Sequence, residues 1–435
     1  MSASKPETGR FIPHLSADEL AKIQLDGLKW TVNHAYAGSP FYRARLKEAG
    51  VEPGDIKSMA DLSRLPFTTA YDLQDNYPLP LLSVPEEDVV RIHGSSGTTG
   101  KRKILSYTQQ DIDDWKDMFA RCYELAGLTR LDRVQICVGY GLWTAGAGFQ
   151  LGCERFGAMA LPIGPGMLDI QLQMLTDLGT TCLGCTASMA LLLGEEVEKQ
   201  GLRDKLKLKR LIFGAEAHTP KMRKRFEEAL GLEHSFDISG MTEIYGPGAG
   251  LECQAHQGIH YWADMYILEI VDPDTLQPVA PGELGEMVIT SLKKQASPLI
   301  RYRTRDMTRL IPGDCSCGCT MPRHERIQGR SDDMIIFRGV NIYPGQVAAV
   351  LEKHPEMLCE YQISLSRSDG LDHMVVRAER RAETPETAVA GLVKAISEDI
   401  KHQILVTAKV EVLAPGSLPR SFAKTKRVLD ERDKD

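Results

Sequence analysis

Between His93 and Lys103 the chain reads His93-Gly94-Ser95-Ser96-Gly97-Thr98-Thr99-Gly100-Lys101-Arg102-Lys103, with a glycine at every third position and a basic end. Glycines let the backbone turn until several N–H groups face one anion. Ser95, Ser96, Thr98 and Thr99 add hydroxyl donors, and Lys101, Arg102 and Lys103 add positive charge. A polyphosphate needs this combination. Spacing excludes two commoner phosphate loops. A Walker loop requires G-x-x-x-x-G-K-[ST], whereas Arg102 follows Lys101 here, and a dinucleotide fingerprint requires G-x-G-x-x-G. Two readings stay open on these residues alone, a phosphate cradle and a flexible surface loop.

A second group is rich in metal-binding side chains. Cys315, Cys317 and Cys319 alternate along the chain, and Cys253 precedes His260. Three thiolates with one imidazole make a closed tetrahedral zinc site, which is structural rather than catalytic. Free thiols in a surface loop are the plain alternative.

The elements that must position these groups follow an α/β pattern. A helix is expected from Asp18 to about Ala49. Strands alternate with helices from Val89 to about Gly214: strands at Arg133–Val138, Ala158–Ile163, Thr181–Leu183 and Arg210–Phe213, helices at Gln150–Phe156, Leu168–Leu178 and Ala187–Lys199. Such alternation implies a mostly parallel sheet flanked by helices, with ligands beyond the carboxyl ends of its strands. Tyr140 and Gly214-Ala215-Glu216 both follow strands there. Tyr140 and Trp143 are candidates for an acid-binding pocket, because aromatic rings stack on an aryl group. From Tyr261 to Arg301 strands joined by turns predict a smaller β region, and after Asp332 a compact α+β segment follows. At 435 residues the chain exceeds one ordinary core.

Composition narrows the function classes. A net charge of -7 argues against a nucleic-acid binder. No apolar run is long enough to span a bilayer. With no signal-peptide pattern, the ten cysteines are expected to be thiols or metal ligands and the protein cytoplasmic.

The loop pattern resembles the signature of the adenylate-forming (acyl-CoA synthetase) superfamily, and further motifs resemble its phenylacetate–CoA ligase branch. They are Leu65-Pro66-Phe67-Thr68, Asp75-Asn76-Tyr77-Pro78, Gly139-Tyr140-Gly141-Leu142-Trp143-Thr144, Gly329-Arg330-Ser331-Asp332-Asp333, Arg338-Gly339-Val340-Asn341 and Leu418-Pro419-Arg420-Ser421. The similarity runs from about Phe41 to Asp430.

That resemblance implies a large N-terminal nucleotide- and acid-binding domain over residues 1–330 and a small mobile C-terminal domain over 331–435. It implies an ATP-dependent aryl acid–CoA ligase, phenylacetate being the expected acid, with ATP/AMP, magnesium and coenzyme A. The alternatives are an adenylyltransferase and a non-catalytic binder. It assigns phosphates to Ser95–Lys101, adenine to Gly214, Ala215 and Glu216, both ribose hydroxyls to Asp306, and a nucleotide contact to Arg330. Glu243, beside Thr242, would hold magnesium, a hard cation suited to carboxylate oxygen. Ser239 departs from the family pattern, which has an adenine-stacking aromatic there. Lys424 matches the catalytic lysine, with Lys426 as competitor. Asp332 matches the hinge and Gly339 the CoA tunnel. The branch favours Cys253, His260, Cys315 and Cys317 as zinc ligands, with Cys319 and His256 as alternates, and a homodimer comes from the resemblance alone.

Overall fold

The computed structural model describes residues 10–95, 101–216, 218–332, 335–338, 340–368, 371–419 and 427–432. They form two compact units. One runs to Cys185 and adds Asp204–Ala215 and Leu232–Arg326; the other joins Thr186–Arg203 and Glu216–Gly231 to the chain from Ile327 onward.

In the first unit, Ser16 and Glu19 form a capping box that starts the helix Ala17–Gly38. Ser39 ends it, and Pro40 takes the first position of a second helix, Pro40–Glu48. The single helix expected from Asp18 to Ala49 is therefore two. Proline cannot continue a helix, lacking the N–H, but suits its first turn.

Strands β1 (Arg91–Gly94) and β2 (Ile104–Tyr107) pair antiparallel with Gly94 opposite Ile104, so the glycine-rich segment is their connection. The helix Gln109–Leu125 follows, begun by a reciprocal cap between Thr108 and Asp111. The alternation read from periodicity does not include this helix, although Thr-x-x-Asp is a start signal.

The main sheet takes β3 (Arg133–Ile136), β4 (Met159–Leu161), β5 (Cys182–Thr186), β6 (Arg210–Gly214), β7 (His234–Met241), β8 (Gly246–Glu252) and β9 (Ile259–Tyr261). Next come β10 (Tyr266–Val271), β11 (Gly285–Ser291) and β12 (Tyr302–Thr308), paired antiparallel as the smaller β region. Short strands β13 (Leu310–Ile311) and β14 (Arg323–His324) return to the main sheet, whose order is β13-β14-β9-β8-β7-β6-β5-β3-β4. β4, β3 and β5 are parallel, as are β6 and β7, but β8, β9 and β14 continue antiparallel. The expectation of mostly parallel sheets thus holds for one half of one mixed sheet. The reason is a reversal at Thr242–Tyr245, where Tyr245 (φ 145°) and Gly246 (φ 127°) leave the ordinary regions and fold the chain back as β8.

The second unit has a four-stranded sheet ordered Lys409–Leu413, Leu371–Arg380, Met357–Ser368, Val428–Asp430. The helices Pro344–Glu352 and Glu386–Ile404 contribute to its core with Ile363, Val376, Ile396 and Ile400, all fully buried. The α+β segment expected after Asp332 matches this arrangement. Also in this unit are the helices Ala187–Lys199 and Pro220–Leu230. They approach so closely that a Cβ on Gly194 would lie 2.9 Å from that of Ala229. Among the described residues no helix is long and apolar enough to cross a membrane.

Candidate active site

Three segments meet in the first unit: the neck of the β1–β2 hairpin at Ser95 and Lys103, the turn after β7, and Tyr302 at the start of β12. Ser95 N–H donates to the Lys103 carbonyl at 3.1 Å, closing the hairpin neck, and Gly94 N–H donates to Leu142 O at 2.8 Å. The Ser95 hydroxyl is buried without a partner among the described residues. Ser96, Gly97, Thr98, Thr99 and Gly100 lie outside the described residues. Lys101 is anchored through its carbonyl, which accepts from Gln74 at 3.1 Å.

Glu243 is the centre of the convergence. Only 5% exposed, it is ion-paired with the Lys103 ammonium and accepts from the Tyr302 hydroxyl at 3.0 Å. Burial opposes ionisation, but the charge and hydrogen bond of Lys103, helped by Tyr302, outweigh it and hold the carboxyl below its ordinary range. Thr242, beside it, lies 3.4 Å from Thr144 through their hydroxyls. A buried, ionised carboxylate that needs a cation suits magnesium, and the ammonium holds that role in this structure.

On β12, Asp306 accompanies arginines that have glutamate partners: Arg301 with Glu269, Arg303 and Arg305 with Glu286, and Arg309 with Glu325. Asp306 N–H donates to the Thr304 hydroxyl at 3.0 Å.

β6 and β7 run side by side with Gly214 opposite Ile238, which brings the Gly214-Ala215 turn next to Ser239. A Cβ on Gly214 would meet the Ile238 carbonyl oxygen at 2.7 Å, and Ala215 has φ 71°. Ser239 is half-buried. Phe236 and Tyr245 are committed elsewhere: Phe236 stacks with His256, and Tyr245 lies under Lys294. In the second unit, Glu216 accepts from the Ser188 N–H.

Tyr140 borders a cavity of about 370 Å³ with Arg91, Ile92, His93, Ala147 and Gln150. Its ring lies against Gly146, where a Cβ would approach within 2.6 Å. Trp143 is half-buried against Gly139 and is not on that lining. His93 was given no role from the sequence. It is 3% exposed, bonded through Nδ1 to Leu142 O, with Nε2 unpartnered among the described residues.

In the second unit, Arg330 and Asp332 form a two-pronged pair, Nε to Oδ1 and Nη2 to Oδ2 both 2.8 Å. Gly339, Lys424 and Lys426 lie outside the described residues.

The thiol cluster is brought together from three places. Cys253 follows β8 directly, His260 lies on β9, and Cys315 and Cys317 come from the β13–β14 connection. Their ligand atoms all lie within 4.8 Å of one another; Cys253 and Cys315 Sγ are 3.6 Å apart, and Cys317 Sγ is 3.3 Å from His260 Nε2. His260 Nδ1 is 2.7 Å from the Met321 carbonyl, which leaves Nε2 as the free ligand. Zn–S bonds of about 2.3 Å in a tetrahedron set sulfurs about 3.8 Å apart, so the donors fit zinc. Neither alternate joins them: His256 pairs with Glu252 at 3.2 Å, and Cys319 meets Cys317 through its backbone N–H.

Two family descriptions match the chain, AMP-binding enzyme over residues 20–293 and AMP-binding enzyme C-terminal domain over residues 339–432. A phenylacetate-coenzyme A ligase of Pseudomonas putida is 42% identical, with 96% of this chain and 95% of that one covered. The phenylacetate-coenzyme A ligase of Escherichia coli (strain K12) is 41% identical, with 96% of each covered. Among solved structures, 2-hydroxyisobutyryl-CoA ligase in the postadenylation state with R3-HIB-AMP superposes with a TM-score of 0.88 at 28% identity, over 97% of this chain and 91% of that one.

Proposed function

The chain belongs to the AMP-binding enzyme family, and on that premise we propose that it is an ATP-dependent phenylacetate–CoA ligase. The observation that carries this reading is near-full-length identity to enzymes of that activity. In the first half-reaction the acid carboxylate attacks the α-phosphorus of ATP and expels pyrophosphate. In the second, the CoA thiol attacks the acyl carbon and AMP leaves, its phosphate taking the electron pair of the broken C–O bond.

The residues divide this work. The Ser95–Lys101 loop holds phosphates through N–H and hydroxyl donors, and Lys103 stands beside it. Glu243 with Thr242 holds magnesium, which supplies charge neutralisation to the triphosphate when bound. Gly214, Ala215 and Glu216 border adenine, Asp306 holds the ribose hydroxyls, and Arg330 touches the nucleotide. Tyr140 and Trp143 contribute to the acid-binding pocket. Lys424 stabilises charge on the α-phosphate as the acyl–phosphate bond forms. Asp332 serves as hinge and Gly339 borders the CoA channel. Cys253, His260, Cys315 and Cys317 hold a structural zinc. ATP and CoA as co-substrates, and ten cysteines free of disulfides, support a cytoplasmic setting. A homodimer is part of the same proposal.

The test incubates the protein with ATP, magnesium and a panel of aryl and alkyl acids, with and without CoA. Thioester formation with phenylacetate ahead of other acids is the expected result. AMP left on an acceptor, or no pyrophosphate release, would replace the ligase with an adenylyltransferase or a non-catalytic binder.

A further inference from the structure

Lys294 is fully buried. Its ammonium lies 3.8 Å over the Tyr107 ring and 4.8 Å over the Tyr245 ring, and its one hydrogen bond among the described residues is a long one, 3.4 Å to the Ser106 carbonyl. Arg121, a buried cation on the helix Gln109–Leu125, instead has a bidentate carboxylate, Asp264, at 2.7 and 3.0 Å. Asp111 is near Lys294 but is committed to the backbone, accepting from Thr108, Gln295 and Ala296 N–H groups at 2.9, 2.6 and 2.9 Å. Burying an ammonium without a bonded carboxylate costs stability. A methionine of similar shape would not carry that cost.

What the charge holds is next to the reactive turn. The Tyr107 hydroxyl donates a shared hydrogen bond to the carbonyls of Thr242 at 3.0 Å and Tyr245 at 3.2 Å, the two ends of the turn that presents Glu243. Rings under a desolvated cation are held by its field. We propose that Lys294 is a positioning residue for the reaction, clamping Tyr107 and Tyr245 so that Thr242 and Glu243 keep their places. This rests on the assignment of that turn to the adenylation site.

Burial, opposed in part by Asp111, moves the Lys294 ammonium down to about 8. The groups around it are Asp111 on the helix, His93 and Tyr107 on the hairpin, and Tyr245 at the turn. Deprotonation would release the rings, so adenylation should slow as pH rises through about 8. Stability from this group moves the other way. From about 8 to its ordinary 10.5 the unfolded chain holds the proton that the folded one has lost, so folding becomes more favourable as pH rises.

The experiment measures kcat and KM by pyrophosphate exchange from neutral to alkaline pH, with thermal unfolding, for the full-length protein, Lys294→Met and Lys294→Arg. Expected are an alkaline fall in wild-type kcat, a Met variant that melts higher than wild type at neutral pH, and a kcat for it lower by up to about a hundredfold, with KM for ATP changed far less. Lys294→Arg, which keeps its charge, should lack the alkaline fall. A wild-type kcat that stays level through this range, or full activity in Lys294→Met, overturns the proposal. Glu243→Gln run alongside separates the two claims. Unimpaired adenylation there would remove the turn from the site, whatever Lys294 does.

Discussion

Lys103 and Glu243 form an ion pair across 140 residues of chain, joining the far end of the glycine-rich hairpin to the turn after β7. The two motifs that resemble a phosphate loop and a magnesium ligand are therefore in contact.

Removing the ammonium alone should strand a buried carboxylate. Lys103→Met is expected to cost about 3–5 kcal/mol in denaturant unfolding at neutral pH, as broken buried pairs do. The pH dependence carries the sign. Glu243 has a lowered carboxyl, so in the wild type its contribution is present above the unfolded value and is lost as pH falls through the folded one. In the variant only the Tyr302 and backbone hydrogen bonds oppose burial, so the carboxyl rises from its wild-type position and acidification relieves the strain. The gap between the two proteins should close as pH falls; a gap that is constant or absent would uncouple the pair.

Lys424→Ala should cripple acyl-adenylate formation by roughly a hundred- to a thousandfold, the usual loss of one such electrostatic contact. Thioester formation from supplied acyl-adenylate should be spared. Equal damage to both half-reactions would remove Lys424 from the assignment and point to Lys426.

Elemental analysis of protein prepared without added metal should find about one zinc per chain, given a four-donor set of this kind. Cys253→Ser should lose it, whereas Cys319→Ser and His256→Ala should keep it, because neither side chain belongs to the cluster. Chelation should lower the melting temperature. Protein with no zinc and freely titratable Cys253, Cys315 and Cys317 would refute the site.

Ser239→Tyr should lower the Michaelis constant for ATP and leave that for the acid nearly unchanged. Phe236 and Tyr245, the neighbouring rings that could stand in for an aromatic at 239, are packed against His256 and Lys294 instead. A stacked base is worth roughly 1–3 kcal/mol in single-stranded nucleic-acid sites. A raised constant would mean that the new ring clashes, and no change would mean that position 239 does not face adenine.

Local chemistry was legible in the sequence. The choice of four metal donors rests on the family resemblance, whereas the glycine spacing of the loop and the strand-to-helix alternation depend on residues close in the chain, so spacing and period report them. The helix Ala187–Lys199 was placed to the residue for that reason. Pairings set by topology were not legible. Nothing near Lys103 announces Glu243, nothing near Cys253 separates Cys315 from Cys319, and Lys294 reads as one more surface lysine until Tyr107 and Tyr245 close over it. The reversal at Thr242–Tyr245 is the physical reason. It turns a parallel sheet antiparallel, sets β8 beside β7 and β9 beside β8, and so decides which distant side chains share a low-dielectric interior, where a single unpaired charge outweighs any local propensity.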